Sequence, residues 1–259
     1  MRRPFRVISL APTQTEIIAA LGGLGFLDGV TEDCDFPEDV RWIPTFGSWH
    51  APDLKKVLEA QPDLVCTFGS HQEELSVVLK EAGLRTYHSD PPDVPSSLRT
   101  IAEIGFLLGL DRMAEYLIRT LEDRLAQVER AIGGLSAEEH PRVLRIMHWD
   151  PLITVGPGSF QHDVIVRAGG ENLMKDGPQP YFTCDVQKVL ERDPEAIFFC
   201  EPHIRGLLEE DPAWSRCSAL RRSKVFLFEC GLTCRSGPRI VDMVEQLARA
   251  LHPERMSLG

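Results

Sequence analysis

DLKKVLEAQPDLVCTF at residues 53–68 is answered by DVQKVLERDPEAIFFC at residues 185–200. Six of the sixteen positions are identical, and the offset is 132 residues throughout. Each copy reads as a short helix, a proline that breaks it, and an apolar run suited to a buried strand. Helix-then-strand units are the currency of α/β proteins with parallel sheets. Repetition over more than a hundred residues therefore predicts two similar lobes.

The same grammar extends outward from both copies. FRVISL is a short strand, APTQ a turn, and TEIIAALGGLG a helix, with Thr13 and Glu16 expected to form its capping box. HQEELSVVLKEAG is a helix, RTYHS a strand, PPDVP a rigid loop and SSLRTIAEIGFLLG a further helix. From Asp111 to the breaker pair Gly133 and Gly134, apolar residues recur every three or four positions. That pattern predicts a helix roughly 33 Å long. RVLRIMHW then reads as a strand, FQHDVIVRAGG as a helix, KVFLFE as a strand and PRIVDMVEQLARALH as the closing helix. The expected fold is α/β: two Rossmann-like lobes with parallel sheets, residues 1–109 and 135–259, joined by one long rigid helix over 110–134, with a ligand cleft between them.

Composition narrows the function. A formal charge of −11 disfavours nucleic acid, which is bound by neutralising phosphates. No stretch approaches the length of a membrane span, so membrane insertion is not expected. The opening MRRPFRVISLAPTQTE has basic residues but no apolar export segment, which points to the cytoplasm as the sequence stands, or to an extracytoplasmic site if an export signal was omitted. Seven scattered cysteines read as reduced thiols rather than a disulfide framework. In CGLTC, three residues separate the two cysteines where redox pairs usually have two, so both read as ordinary thiols near a loop. Phosphate-binding glycine loops, HExxH and GxSxG are missing, and no nucleophile stands beside a base, so the expectation is a binding protein and not an enzyme.

The repeat also selects candidate ligand contacts. Trp49 and Tyr181 each stand four residues before the repeated Asp, and His71 and His203 each stand nine residues after the repeated Pro. Open parallel sheets bind ligands beyond the carboxyl ends of their strands. Trp49 sits beside His50 in FGSWH, at the mouth of a loop where neither ring is needed to fill a core. His148, Trp149 and Asp150 follow a strand and suit a pocket wall better than an acid–base cluster. A neutral imidazole can ligate cobalt or iron, and among His50, His71 and His203 the axial-ligand candidate is His71, which follows a strand end directly.

RVISLAPTQTEIIAALG, DFP at 35–37, PDLV at 62–65, AGGEN at 168–172, DPEAI at 193–197 and GPRIVDMVEQLARALHPE occur in an order that resembles the helical-backbone (class III) periplasmic binding proteins, and within them the cobalamin-binding branch. The resemblance covers essentially the whole chain. It implies a shallow aromatic cleft holding a corrinoid, with Trp49, Phe68 and Tyr181 at the matching aromatic positions. A further aromatic expected just before Arg235 is replaced by Leu232 and Thr233, which keeps haem, ferric siderophores and other corrinoids alongside cobalamin. In transport members a glutamate on each lobe docks onto permease arginines, and the matching positions here are Lys55 and Gln187. That departure places an intracellular corrinoid carrier or sensor first. An ABC-transporter substrate-binding protein for cobalamin, haem or an iron siderophore is the alternative. An enzyme using His148 and Asp150 on a bound tetrapyrrole ranks third.

Overall fold

The computed structural model describes residues 5–256. Residues 1–4, on which part of the reading of an export leader rests, lie outside the described residues. The chain divides into two compact units: the residues up to Pro91 with Ser96–Thr120, and Pro92–Pro95 with the chain from Leu121 onward.

The first unit runs β1 (Val7–Ser9), α1 (Pro12–Ala20), β2 (Leu27–Gly29), α2 (Leu54–Ala60), β3 (Leu64–Phe68), α3 (Glu73–Glu81), β4 (Thr86–Ser89), then most of α4 (Val94–Leu108) and the first half of α5 (Asp111–Ile132). Its strands form a parallel sheet in the order β2-β1-β3-β4, with Val7 registered against both Leu27 and Leu64. Every residue of β3 is buried, as a central parallel strand covered on both faces requires. Ile8, Leu10, Phe46, Val57, Val65, Leu79 and Leu84 pack together as its core. The capping box expected at Thr13 and Glu16 does not form. Pro12 opens α1, so both residues lie inside the helix and are buried. Proline at the first helical position needs no N–H partner, and it outweighs the weaker Thr signal.

α5 carries the chain into the second unit as one uninterrupted helix of 22 residues. There follow β5 (Arg142–Arg145), β6 (Ile153–Val155), α6 (Phe160–Arg167), β7 (Glu171–Asn172), β8 (Tyr181–Thr183), α7 (Val186–Glu191), β9 (Ala196–Phe199), α8 (His203–Glu210), α9 (Ser218–Arg221), β10 (Val225–Leu227), α10 (Cys230–Thr233), α11 (Ile240–Leu251) and α12 (Pro253–Met256). The parallel sheet here is ordered β10-β9-β5-β7. Leu144, Ile146, Ile197, Phe199 and the fully buried Trp214 lie at its core. The strand read as RVLRIMHW ends at Arg145, because the chain turns back on itself where Met147 N–H donates to Ile153 O. That reversal starts a two-stranded antiparallel ribbon, β6 with β8, which the sequence reading did not foresee.

The internal repeat is physical. The sheets match strand for strand: β2, β1, β3 and β4 of the first unit occupy the places of β7, β5, β9 and β10 in the second. Asp53 caps α2 by accepting from Lys56 N–H at 3.0 Å, and Asp185 caps α7 by accepting from Gln187 N–H at 2.8 Å. Past each helix one residue turns left-handed, Gln61 and Asp193, both at φ 47°. An arginine at the head of the central strand then holds each turn. Arg6 Nη1 donates to Ala60 O at 2.9 Å, while Arg142 donates to Arg192 O at 3.0 Å and Asp193 O at 2.9 Å. The Arg6 N–H donates to the Asp63 carboxylate at 2.8 Å and that of Arg142 to Glu195 at 3.0 Å, the two acceptors standing the same 132 residues apart.

Equivalent turns are not equally replaceable. Gln61→Gly relieves a left-handed conformation and gives up a bond from Gln61 Nε2 to Leu58 O, so stability should stay within about 0.5 kcal/mol. Asp193→Gly also removes the carboxylate that accepts from Ser218 N–H at 2.8 Å at the start of α9, and should cost about 1–2 kcal/mol. Urea unfolding midpoints of the two variants check this asymmetry.

Candidate functional site

Strand β3 ends at Phe68, and Gly69, at φ 81°, redirects the chain into the single tight turn Ser70–Gln72 that precedes α3. This turn carries His71 out from the carboxyl edge of the sheet. Gln72 beside it is 1% exposed and joins three segments. Its Oε1 accepts from Phe68 N–H at 3.0 Å, while its Nε2 donates to Leu10 O and to Trp49 O, both at 2.8 Å. The Trp49 loop is thereby fastened to the ends of β1 and β3, and the Asp33 carboxylate secures it further by accepting the Trp49 N–H. Nothing in the residue pattern singled out Gln72, since its partners are main-chain atoms distant in sequence.

On this support three rings meet. The centroids of Trp49 and His50 are 4.6 Å apart, those of Trp49 and His71 4.8 Å, and those of His50 and His71 4.7 Å. His71 Nε2 lies 3.1 Å from Trp49 O, which orients the imidazole. The indole N–H of Trp49 has no partner among the described residues. His71 is exposed at its outer edge, and partial desolvation on its inner side, with the neighbouring His50 second, holds the imidazole below its ordinary range. At neutral pH it is therefore uncharged and able to offer a nitrogen lone pair to a metal. Phe68 is buried where β3 ends and presents little surface.

The remaining candidates stand on the second unit. Tyr181 opens β8 and is 36% exposed. Trp149 is half-buried against Trp214, with ring centroids 5.8 Å apart, and so is anchored to the core. His148 Nε2 meets the main-chain oxygen of Asp150 at 2.9 Å, a contact that does not involve the carboxylate. His203 is exposed at the start of α8, 3.4 Å from the Glu201 carboxylate. Arg235 follows α10 and is half-buried. Lys55 and Gln187 are both exposed on their helices.

A tight ring cluster with a neutral imidazole, on a backbone pinned at three points, suits the flat face of a metal-bearing ligand. Comparison with known proteins agrees with the fold that surrounds it. The model of the family described as periplasmic binding protein matches residues 7–229. The uncharacterised ABC transporter substrate-binding lipoprotein YvrC of Bacillus subtilis is 25% identical over 261 residues, covering 98% of this chain and 82% of its own. The vitamin B12-binding protein of Salmonella typhimurium is 27% identical over 247 residues, covering 95% of this chain and 90% of its own. The apo structure of the periplasmic heme-binding protein RhuT from Roseiflexus superposes with a TM-score of 0.84 at 21% identity, covering 98% of this chain and 100% of that one.

The His50–His71 contact has a measurable signature. In His50→Ala the His71 midpoint should rise, because a second positive charge no longer opposes protonation, yet it should stay below the usual value of about 6.5, since burial is the larger cause. In the wild type the neutral form of His71 supports the fold above about pH 6.5, and that support is lost as the pH falls through the lower folded value. Imidazole resonances followed by NMR across this range check both statements.

Proposed function

This chain belongs to the periplasmic binding protein family, and from that premise we propose that it is the substrate-binding protein of an ABC-type uptake system for a corrinoid or similarly large metal chelate. The observation that carries the reading is the Trp49, His50 and His71 cluster held by Gln72. A corrin offers a broad apolar face rimmed with amides. Flat, preorganised rings bury such a face at low entropic cost. His71 is the proposed axial nitrogen ligand, and Trp49 the proposed anchor. Tyr181, Trp149, His148, His203 and Arg235 are the second unit's candidates for ligand contact.

Relatives named as a vitamin B12-binding protein and as an ABC-transporter lipoprotein favour this reading over the intracellular carrier or sensor that the sequence placed first. The cytoplasmic placement is set aside with it, and so is the enzyme reading, since these relatives are named as binding proteins. The departures at Lys55 and Gln187 bear on the partner instead. One turn further along the same helices stand Glu59 and Glu191, exposed carboxylates separated by the same 132 residues. They are the proposed docking charges for a permease, with Lys55 3.8 Å from Glu59 moderating one of them.

Adding aquocobalamin to the purified protein should shift the corrin absorption bands as the imidazole of His71 displaces water. The shift should disappear in His71→Ala. Trp49→Ala should weaken binding by about 2 kcal/mol, or roughly 30-fold, as expected for an anchor residue. Haem and a ferric siderophore tested in parallel decide between chelate classes, and failure of all three to bind would sink the proposal. With the permease in nanodiscs, Glu59→Ala/Glu191→Ala should reduce docking while leaving ligand affinity unchanged. The wild-type complex should weaken with added salt, as exposed charge pairs do.

A further inference from the structure

Cys200 directly follows β9, while Cys230 and Cys234 face each other one helical turn apart on and just after α10. Parallel strands β9 and β10 lie side by side, so the residues leaving their carboxyl ends converge. The Cys200 and Cys234 sulfurs are 3.8 Å apart, those of Cys230 and Cys234 3.7 Å, and all three lie within 4.8 Å of one another. A zinc-type ion with metal–sulfur bonds of about 2.3 Å at tetrahedral angles requires sulfur–sulfur edges of roughly 3.8 Å. Two edges already have that length. The other cysteines are unlike these. Cys34, Cys66 and Cys217 are buried, and burial pushes the Cys66 thiol up to about 12 and the half-buried Cys184 thiol up to about 11.

A second, independent observation comes from the charge next to the cluster. Arg145 is 0% exposed. A buried guanidinium requires compensation, yet no carboxylate lies within ion-pair distance of it among the described residues. Its Nη2 instead donates to Cys200 Sγ at 3.4 Å and to Cys234 Sγ at 3.6 Å. Its Nη1 donates to Ile146 O, its Nε has no partner, and the guanidinium stands 5.3 Å from the Phe198 ring centroid. Among the described residues, the hydrogen-bond acceptors of this buried cation that can carry negative charge are the cysteine sulfurs. Three thiolates on a divalent ion carry a net charge of −1, which a single arginine neutralises.

We propose that Cys200, Cys230 and Cys234 form a three-thiolate site for a divalent d10 metal ion of the zinc and cadmium class, with Arg145 as its buried counter-charge. Soft thiolates select such ions over magnesium, calcium or manganese. On loading, the ion takes three sulfur lone pairs and the thiol protons pass to the buffer. No electrons are exchanged. The fourth tetrahedral vertex stays open to solvent or a small exogenous ligand, since Cys230 is exposed. The ion ties the end of β9 to α10, so all three ligands belong to the second unit.

The test uses full-length protein, reduced and handled without oxygen, titrated with Zn2+, and with Co2+ as a spectroscopic probe. The expected result is one ion per chain, three thiols protected from a thiol reagent, and an intense sulfur-to-cobalt charge-transfer band. Cys230→Ser, at an exposed position that should leave the fold intact by circular dichroism, should weaken Zn2+ binding at least tenfold and remove most of that band. Cys200→Ser and Cys234→Ser should do the same, and Cys184→Ser should have no effect. No uptake by the reduced wild type, or one-ion binding that all three Ser variants retain unchanged, overturns the proposal. Corrinoid binding is read separately and does not enter the outcome.

Discussion

The grip of an arginine on main-chain carbonyls at the head of each central strand is the constraint on which both units depend. A parallel strand must be entered at the correct height, or its register shifts and its buried faces are exchanged. Arg6 and Arg142 set that height by joining the strand they begin to the left-handed turn before its neighbour, β3 or β9. Each bond is worth only about 1 kcal/mol net, but several of them converge on one turn. Because the acceptors are carbonyls, the turn residue can be Gln61 in one unit and Asp193 in the other.

Much of this was legible before any coordinates. The repeated stretch showed its helix, its breaker and its buried strand because each depends on local chemistry: an Asp that caps, a Pro that stops, an apolar run that is covered. Trp49 and His71 were found by counting from those fixed points, and they do meet in space. Where sequence reading failed, a competing local signal or a distant partner was responsible. Pro12 displaced the capping box at Thr13. β6 and β8 are three residues each, too short for alternation to register. The nearness of a third sulfur to Cys230 and Cys234 was likewise not legible, because Cys200 is thirty positions from Cys230 and arrives only through the pairing of β9 with β10.

The candidate site depends more on what holds it than on what it displays. Rings on a loose loop would lose on binding the entropy they had kept while free. Here Gln72 absorbs that cost at folding by closing onto Leu10, Phe68 and Trp49 with one buried amide. His71 itself stays exposed, yet the partial desolvation it meets beside Trp49 and His50 lowers its affinity for a proton, so packing and protonation state are linked.

Trp49 and Tyr181 occupy equivalent places in the repeat but rest on different foundations. The segment before Trp49 is bound to Val30 from both sides, with Val30 N–H donating to Pro44 O at 3.0 Å and Phe46 N–H to Val30 O at 2.8 Å, and the loop itself is held by Gln72. Tyr181 rides on β8, whose strand partner is the three-residue β6. A two-stranded ribbon is a far weaker spring than a loop moored to a four-stranded sheet. The two aromatics thus differ in mechanical compliance: Trp49 stands on a stiff mount, and Tyr181 on one that gives under load.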